Sequence, residues 1–333
     1  MRIGVAGVGR IGSFHAETLR EHPAVDSVVV ADADPERARQ TAAALSVEAA
    51  ESPDALLAAD LDALVIAAAT GAHPSLIVRG LDAGLPVFCE KPVAPDIAAT
   101  LTVLKRASEA STPVQIGFQR RFDPGYAAAR AAVQSGELGW LHTIRATTID
   151  PAPPPAAYIA TSGGLFRDCG VHDFDAIRWV TGREVTEVYA TGANRGADFF
   201  RAAGDVDTMS AVLTLDDGTL ATVSDGRYNA AGYDVRLEVL GSAGSVCAGL
   251  DDGLPLRSAE PGAGFPAGPA YPQFFTRFAA AYRGELAAFI GIAADRGPSP
   301  CTVADALEAS YVAEACELSR ARHAPVQLEE VRK

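Results

Sequence analysis

Short runs of apolar residues alternate with alanine-rich helical segments over the first third of the chain. The apolar runs are continuous, which indicates strands buried on both faces, as in a parallel sheet covered by helices. This strand–helix alternation is typical of a doubly wound α/β fold. The pattern predicts strands at Arg2–Ala6, Val25–Ala31, Ala63–Ala69, Pro86–Cys89 and Val114–Phe118, and helices at Ile11–Glu21, Pro35–Leu45, His73–Ala83 and Asp96–Ala110.

The pattern changes after Phe118, where strand-like segments begin to alternate between apolar and polar positions. Asp216-Asp217-Gly218 is a hairpin turn signal between two of these segments. The sequence therefore predicts a doubly wound domain at 1–118 and an α+β domain at 119–333 with an open, mainly antiparallel sheet. The elements predicted there are helices at Asp123–Ser135, Phe274–Ala294 and Thr302–Arg322, strands at Leu141–Thr148, Val185–Gly192, Thr208–Leu215, Leu220–Arg227 and Tyr233–Leu240, and loops at Pro151–Pro155 and Pro261–Pro272.

Composition and charge limit the function classes. The chain has 333 residues, 48% of them hydrophobic and 21% charged, which is typical of a folded soluble protein of two domains. A net charge of −14 argues against nucleic acid as a partner. The five cysteines form no C-x-x-C pair, which favours a reducing compartment over a disulfide framework. The N-terminus lacks the apolar core of a signal peptide and no apolar run reaches membrane-spanning length, so we expect a cytoplasmic protein without a membrane partner.

A glycine motif lies between the first predicted strand and the first predicted helix. Gly7 permits a tight turn, Gly9 lets the backbone approach a pyrophosphate, and Gly12 lets the helix pack closely on the strand. The amides of Arg10 and Ile11 would face the phosphates from the positive end of the helix dipole. This context predicts a Rossmann dinucleotide site.

The choice of dinucleotide depends on Asp32, which follows the second predicted strand where a ribose-hydroxyl acceptor belongs. A carboxylate there repels a 2′-phosphate and favours NAD, whereas the nearby Arg37 and Arg39 leave NADP open. Thr70 and His73 follow the third predicted strand at its carboxyl end, where ligands of such sheets collect. A helix-capping threonine and an exposed histidine are equally good interpretations of these two residues.

Two clusters of residues could carry the chemistry. Glu90 and Lys91 follow the fourth predicted strand, and a lysine beside a nicotinamide can donate a hydrogen bond to a developing alkoxide. An ordinary salt pair at a strand end is the competing interpretation. Asp168, His172 and Asp175 are spaced four and then three residues apart, so on a helix they share one face. A histidine is the natural proton acceptor at neutral pH, and an adjacent carboxylate would hold its tautomer.

Three other interpretations of the second cluster stay open. Asp168 could cap the helix, the three residues could form a solvated face, or they could bind a metal. Hydride transfer needs no metal and no Cys/His cluster supports one, so we predict no metal site.

Taken together, these motifs resemble the glucose–fructose oxidoreductase/inositol 2-dehydrogenase (Gfo/Idh/MocA) family. The resemblance spans nearly the whole chain and is nearest to the inositol dehydrogenase branch. It differs in the proline-rich segment after Asp150, which looks more like a sugar-oxidoreductase loop. The motifs that carry it are Gly7-x-Gly9-x-x-Gly12 with His15, Glu90-Lys91-Pro92, Gln119-Arg120-Arg121-Phe122-Asp123, the block Gly163–Asp175, Asp205-x-Asp207-Thr208, Gly232-Tyr233-Asp234 and Ala281-Tyr282-x-x-Glu285.

The resemblance implies a Rossmann domain followed by an α+β domain whose open sheet builds a homodimer or homotetramer. It implies that Lys91 binds the reacting oxygen, that His172 is the general acid/base and that Asp168 supports both. It also implies a cis Lys91–Pro92 bond. The remaining implied contacts are Thr70, His73, Glu90 and Gln119 in the cofactor shell, with Arg121, Asp175, Tyr233 and Tyr282 in the polyol pocket.

The function predicted from these features is NAD-dependent oxidation of a secondary hydroxyl on an inositol or a related cyclic polyol or sugar. An NAD(P)H-dependent ketosugar or ketocyclitol reductase would run the same chemistry backwards. Members of the family also include glycosidases that recycle bound NAD, and regulators that sense the cofactor. The regulators tend to lose the lysine or the histidine, and this chain keeps both Lys91 and His172.

Overall fold

The computed structural model describes residues 1–295 and 297–332 and divides into two compact units. The first unit comprises Met1–Gln119 together with Tyr282–Leu307, and the second comprises Arg120–Ala281 with the chain from Glu308 onward. The segment Tyr282–Leu307, which the sequence-based division placed in the second domain, therefore lies with the first. Within the described residues, no helix has the length and apolar character that crossing a bilayer requires.

The first unit is built on a six-stranded sheet in which every strand is parallel to its neighbours. The strand order β3-β2-β1-β4-β5-β6 reverses direction at β1, which is the doubly wound arrangement that the sequence predicted. Its central strands are buried along almost their whole length because helices cover both faces. The strands are β1 (Arg2–Ala6), β2 (Ser27–Ala31), β3 (Glu48–Ala49), β4 (Ala63–Ile66), β5 (Val87–Glu90) and β6 (Val114–Gly117).

The helices of this unit bury small apolar faces against the sheet. Leu286, Phe289 and Ile290 come from near the end of the chain and join the same core cluster as Ile3 and Val5 of β1. This contact explains why the late segment belongs to the first unit. The helices of the first half of the chain are α1 (Arg10–Glu21), α2 (Pro35–Leu45), α3 (Pro53–Leu57), α4 (His73–Asp82) and α5 (Ile97–Glu109).

The second unit contains a seven-stranded mixed sheet in the order β12-β11-β7-β10-β9-β8-β13. All of its pairings are antiparallel except that of β7 with β10, which is parallel. The prediction of an open, mainly antiparallel sheet is therefore confirmed. The strands are β7 (Leu141–Ile149), β8 (Val185–Ala193), β9 (Thr208–Leu215), β10 (Leu220–Gly226), β11 (Asp234–Gly241), β12 (Ser245–Ala248) and β13 (Val326–Gln327).

One face of this sheet is covered and the other is exposed, so buried and exposed residues alternate along β9 and β10. A π-helical turn, Phe166–Gly170, comes directly before the helix Val171–Thr181. The remaining helices are α6 (Pro124–Gln134), α7 (Ala156–Ile159), α8 (Val171–Thr181), α9 (Asp198–Ala202), α10 (Phe274–Arg277), α11 (Ala279–Asp295) and α12 (Val303–Arg322).

The sequence located most of these elements and missed the shortest. The missed strands are β3, β12 and β13, and the missed helices are α3, α7 and α9; none of them is long enough to establish a periodic pattern. The helix α8 entered the prediction only as an assumption of the spacing argument for Asp168, His172 and Asp175. The long helix predicted at Phe274–Ala294 is divided at Phe278 into α10 and α11. The two loop predictions, Pro151–Pro155 and Pro261–Pro272, fall on segments without helix or strand.

Candidate active site

The glycine turn after β1 has the geometry that an anion site requires. Gly7 has a positive φ of 91°, which favours glycine, and a Cβ on Gly12 would lie 1.9 Å from the carbonyl oxygen of Gly7. Gly9 is the exposed N-cap residue of α1, and a Cβ on it would meet no atom within 4 Å. The first amides of α1, near Arg10 and Ile11, are therefore accessible at the positive end of the helix dipole.

Asp32 is fixed beside this turn. Its carboxylate accepts a hydrogen bond of 2.8 Å from the amide of Val8 and one of 2.9 Å from the amide of Asp34. Arg37, half of whose side chain is exposed, also donates to it at 3.0 Å, whereas Arg39 pairs with Glu36. A dinucleotide needs amide donors for its pyrophosphate and a carboxylate acceptor for its ribose hydroxyls. The glycine turn and Asp32 together offer both. The residues present thus fit NAD.

Lys91 follows β5 directly and its side chain is half-buried. The Lys91–Pro92 bond is cis, as the resemblance implied. His73, at the start of α4, is buried and bonds through its two ring nitrogens to the carbonyl oxygens of Pro92 at 2.7 Å and Ala68 at 2.9 Å. It therefore ties the ends of two neighbouring strands together. Its predicted cofactor contact, like that of the half-buried Thr70, stays a prediction.

A buried ionisable cluster lies behind Glu90, the last residue of β5. Glu90 Oε1 is 2.6 Å from Nε2 of His15, and Glu285 of α11 completes a group whose ligand atoms lie within 4.8 Å of one another. His15 and Glu285 are fully buried. Neither carboxylate oxygen of Glu285 has a hydrogen-bond partner among the described residues. Burial, and then the charge of Glu90, raise the pKa of Glu285 well above its ordinary value.

Two further predicted residues are buried in the first unit. Gln119 begins a short 3₁₀ turn that continues to Phe122, and only 4% of it is exposed. Tyr282 is equally buried, with its ring centroid 5.7 Å from that of Phe14 and 6.0 Å from that of His15. Tyr282 thus packs against α1, and its predicted place in the polyol pocket stays a prediction.

In the second unit, two adjacent arginines are held by α8. Arg121 makes a two-pronged ion pair with Asp175, at 2.9 Å through Nε and 2.6 Å through Nη2. Arg120 donates to Asp173 at 2.6 Å and to the hydroxyl of Thr148 on β7 at 2.8 Å. All four charged groups are buried, so the two members of each ion pair depend on one another's charge and hydrogen bonds. The structure thereby brings together Arg121 and Asp175, which the sequence placed in the same pocket.

His172 is half-buried in the first turn of α8, and Asp168 lies just before it in the π-helical turn. The spacing argument assumed a regular α-helix through both residues, whereas the chain at Asp168 is π-helical. Single π turns are frequent at functional sites. Tyr233 comes directly before β11 and is buried against the rings of Phe274 and Phe278. Burial is the main cause that raises its pKa well above the ordinary value, so it is a neutral phenol.

The sequence did not identify Arg227, the residue that holds Asp168. Arg227 follows β10, is 2% exposed, and donates from Nη2 to Asp168 at 2.6 Å. Its Nη1 donates to Asp150 at 2.8 Å. A signal was available, because the carboxyl ends of β7 and β10 meet at one edge of the sheet and carry Asp150 and Arg227. Using that signal required the parallel pairing of β7 with β10, which the sequence does not reveal.

Asp225, near the end of β10, is a second residue that the sequence missed. It is 1% exposed and neither carboxylate oxygen has a hydrogen-bond partner among the described residues. Burial, followed by the charge of Asp173, raises the pKa of Asp225 well above its ordinary value, although Arg120 and Arg227 oppose the shift. The ion pairs of the two arginines are made with other carboxylates, Arg120 with Asp173 and Arg227 with Asp168 and Asp150.

Each unit therefore has a distinct chemical capacity. The first offers amides and a carboxylate for a dinucleotide, and a lysine that can polarise an oxygen. The second offers a half-buried histidine four residues after a carboxylate that an arginine holds, and buried polar groups suited to hydroxyls.

Comparison with known proteins agrees with both capacities. Residues 1–118 match the model of the oxidoreductase family with an NAD-binding Rossmann fold, and residues 126–247 match the GFO/IDH/MocA C-terminal domain. Myo-inositol dehydrogenase Hyg17 from Streptomyces leeuwenhoekii is 39% identical over 328 residues, which is 97% of each chain.

Solved structures of similar proteins cover nearly the whole chain. A myo-inositol dehydrogenase from Corynebacterium glutamicum superposes with a TM-score of 0.91 at 35% identity, covering 98% of each chain. A scyllo-inositol dehydrogenase from Lactobacillus casei, solved with NAD(H) and scyllo-inositol, superposes with a TM-score of 0.89 at 32% identity, covering 99% of each chain. This chain is an oxidoreductase that uses NAD and belongs to the Gfo/Idh/MocA family.

Proposed function

We propose that this enzyme oxidises a secondary hydroxyl of an inositol, or of a closely related cyclic polyol, with NAD as the hydride acceptor. The observation that carries the proposal is that the chain keeps Lys91, Asp168 and His172 while matching inositol dehydrogenases over nearly its whole length. Other curated relatives with this name include the myo-inositol 2-dehydrogenase of Thermotoga maritima, which is 35% identical over 335 residues.

The proposed mechanism assigns one task to each residue. NAD, when bound, supplies the acceptor for the hydride that leaves the carbinol carbon. The ammonium of Lys91 donates a hydrogen bond to the substrate oxygen and stabilises its growing negative charge. His172 takes the proton of the same hydroxyl, and the ionised Asp168 stabilises the resulting imidazolium. Arg121, Asp175 and Tyr233 orient the remaining hydroxyls.

The charges of the second unit favour an uncharged substrate. Arg120, Arg121 and Arg227 each form a buried ion pair with a carboxylate, so their charges are already neutralised. The chain as a whole carries a net charge of −14, which disfavours a phosphorylated sugar. A neutral polyol meets neither obstacle.

A substrate panel read at the NADH absorbance tests this function. We expect oxidation of at least one inositol with NAD, and weaker activity with glucose or galactose. The matched assay offers keto-inositols with NADH or NADPH, since a strong preference for reduction favours the ketocyclitol reductase instead. Release of sugar from a glycoside without net NADH formation would replace the proposal with the glycosidase alternative.

Changing Asp32 to asparagine is expected to lower kcat/KM with NAD about tenfold and to raise the use of NADP relative to NAD. The amide keeps the size of the side chain but removes the charged acceptor for ribose hydroxyls, and a hydrogen bond to a charged group is worth about 1.5–3 kcal/mol. It also removes the repulsion of a 2′-phosphate, and Arg37 loses its closest partner.

The control is Asp34→Asn, because Asp34 caps α2 and asparagine caps a helix equally well. Initial rates over a range of both cofactors give the two kcat/KM values. An unchanged NAD-to-NADP ratio in the Asp32 variant would place the ribose contact elsewhere.

We also propose that the enzyme is a cytoplasmic homo-oligomer, either a dimer or a tetramer. The exposed face of the second unit's sheet presents Tyr189, Val212 and Leu220, and strand register places all three on one side. Exposed apolar groups of this size commonly mark interfaces. The five free cysteines are in keeping with a reducing compartment. Light scattering that gives the monomer mass would contradict the oligomer.

A further inference from the structure

Arg227 occupies the centre of a hydrogen-bonded network that no predicted role of the site accounts for. Its guanidinium donates to Asp168 through Nη2 at 2.6 Å, and to Asp150 at 2.8 Å and the Cys169 sulfur at 2.9 Å through Nη1. The backbone amide of Arg227 donates to the carbonyl of Asp207 at 2.9 Å, which fixes the base of the side chain. The guanidinium therefore bridges two carboxylates from separate parts of the chain.

The two carboxylates hold the proline-rich segment Pro151–Pro155 from its two sides, Asp150 directly before it and Asp168 through a contact with the helix that follows it. Asp150 comes immediately before the segment, and α7 comes immediately after it. Tyr158 of α7 donates its hydroxyl to the second carboxylate oxygen of Asp168 at 2.8 Å. Through Asp150 at one end, and through Asp168 and Tyr158 at the other, Arg227 anchors both ends of this segment.

The pKa shifts of Arg227 and Tyr158 agree with a network that fixes Asp168. Burial alone would lower the pKa of the Arg227 guanidinium, but the neighbouring Cys169, Asp168 and Asp150 raise it above its ordinary value. Burial, and then Asp168, likewise raise the pKa of the Tyr158 phenol, which keeps it a hydrogen-bond donor. Both carboxylate oxygens of Asp168 thus accept hydrogen bonds from fixed donors, and Asp168 serves as an oriented, ionised acceptor.

We propose that Arg227 is a positioning residue for proton transfer, and that it acts by fixing Asp168 and by holding the segment from Asp150 to Tyr158 in its place beside the π-helical turn. This inference rests on the proposed function, because Asp168 and His172 are the groups that it assigns to the proton. The planar fork of arginine is what the geometry uses, since a lysine ammonium is a point donor that cannot hold two carboxylates in fixed directions.

The first test is Arg227→Lys, which keeps the charge and removes the fork. We expect kcat to fall about 10- to 100-fold, the scale of a lost hydrogen bond to a charged group, with little change in KM for NAD. The low-pH limb of the kcat/KM profile should move to higher pH, because lysine keeps the charge but Asp168 loses the fixed hydrogen bond that favours its ionised form. Tyr158→Phe removes the phenol donor to Asp168 and should have a smaller effect of the same kind.

The matched control is Arg178→Lys. Arg178 is another nearly buried arginine of this unit, and it forms a two-pronged pair with Glu184 at 2.6 and 2.7 Å. Arg178→Lys has the same general cost of losing a buried guanidinium. The guanidinium of Arg178 is directed at Glu184, however, and not at the proton-transfer pair of Asp168 and His172. Its kcat and pH profile should match those of the unmodified enzyme.

Limited proteolysis supplies a readout that needs no substrate. Tyr158 is 46% exposed and is a chymotrypsin site, so release of its segment should speed cleavage there in Arg227→Lys but not in Arg178→Lys.

Normal kcat, pH profile and cleavage in Arg227→Lys would overturn the role of Arg227. Failure of every polyol with the unmodified enzyme would instead overturn the proposed function, and the cleavage result would still decide whether Arg227 anchors the segment. If Arg227→Lys fails to fold, the same outcomes are read from Tyr158→Phe and Asp150→Asn.

Discussion

Replacing Lys91 by alanine is expected to lower the turnover of polyol oxidation about 100-fold or more while NAD binding persists. Lys91 follows β5 at the carboxyl edge of the parallel sheet and is half-buried, where an ammonium can stabilise charge that develops on the substrate oxygen. NAD should depend mainly on the glycine turn and Asp32, which this change does not touch. Steady-state NADH formation gives turnover, and quenching of protein fluorescence gives the NADH dissociation constant.

His172→Ala should cause a loss of the same order, because it removes the proposed proton acceptor. Matched controls are Lys105→Ala and His142→Ala, which remove an exposed lysine of α5 and an exposed histidine of β7. Both controls should keep their turnover. Normal turnover in the Lys91 variant would contradict the proposed mechanism, and a parallel loss of NADH affinity would assign Lys91 to cofactor binding.

The dinucleotide-binding region of the first unit could be predicted because its geometry is local. Gly7, Asp32 and Lys91 each follow a strand of the same parallel sheet, and the carboxyl ends of such strands meet at one edge. A motif and its adjacent strand are therefore enough to place each residue. The structure confirms the fold of this region, including the strand order that brings these ends together.

The candidate site residues of the second unit could be predicted only in part, because their contacts join distant parts of the chain. Arg227 meets Asp150 and Asp168 only because β10 pairs in parallel with β7 in a sheet that is otherwise antiparallel. Local periodicity indicates that a strand exists and does not indicate its neighbour. The π-helical turn at Asp168 is hidden for a similar reason, since residue spacing alone cannot distinguish it from a regular helix.

Changing Glu285 to glutamine is expected to stabilise the protein increasingly as the pH rises above about 4.5, the ordinary pKa of a glutamate. Glu285 is fully buried, its carboxylate oxygens lack hydrogen-bond partners among the described residues, and Glu90 lies within 4.8 Å. Burial and then Glu90 raise its pKa well above the ordinary 4.5, so the folded protein holds a proton that the unfolded chain releases. Stability therefore falls as the pH rises from the unfolded toward the folded pKa, by up to about 1.4 kcal/mol per pH unit.

Glutamine has nearly the same shape and carries no proton that titrates, so the variant lacks this penalty. At pH 5 its thermal midpoint should be close to that of the unmodified protein, and at pH 8 it should be higher. Thermal scans of both proteins at several pH values measure the difference. Glu17→Gln is the control, because Glu17 is an exposed residue of α1, the helix that carries His15, and its removal should shift the midpoint equally at every pH.

A buried divalent cation is the alternative way to compensate Glu285, since His15, Glu90 and Glu285 have the ligand types that such an ion takes. A bound cation and a bound proton predict opposite results for Glu285→Gln and for chelation. A cation would leave both carboxylates ionised, so Glu285→Gln would lose the metal and destabilise the protein at neutral pH, and chelation would do the same to the unmodified protein. A proton leaves a neutral acid, so the glutamine is tolerated and a chelator has no effect. Because Oε1 of Glu90 already lies 2.6 Å from Nε2 of His15, the geometry favours a histidine–carboxylate hydrogen bond with Glu285 as the protonated neighbour.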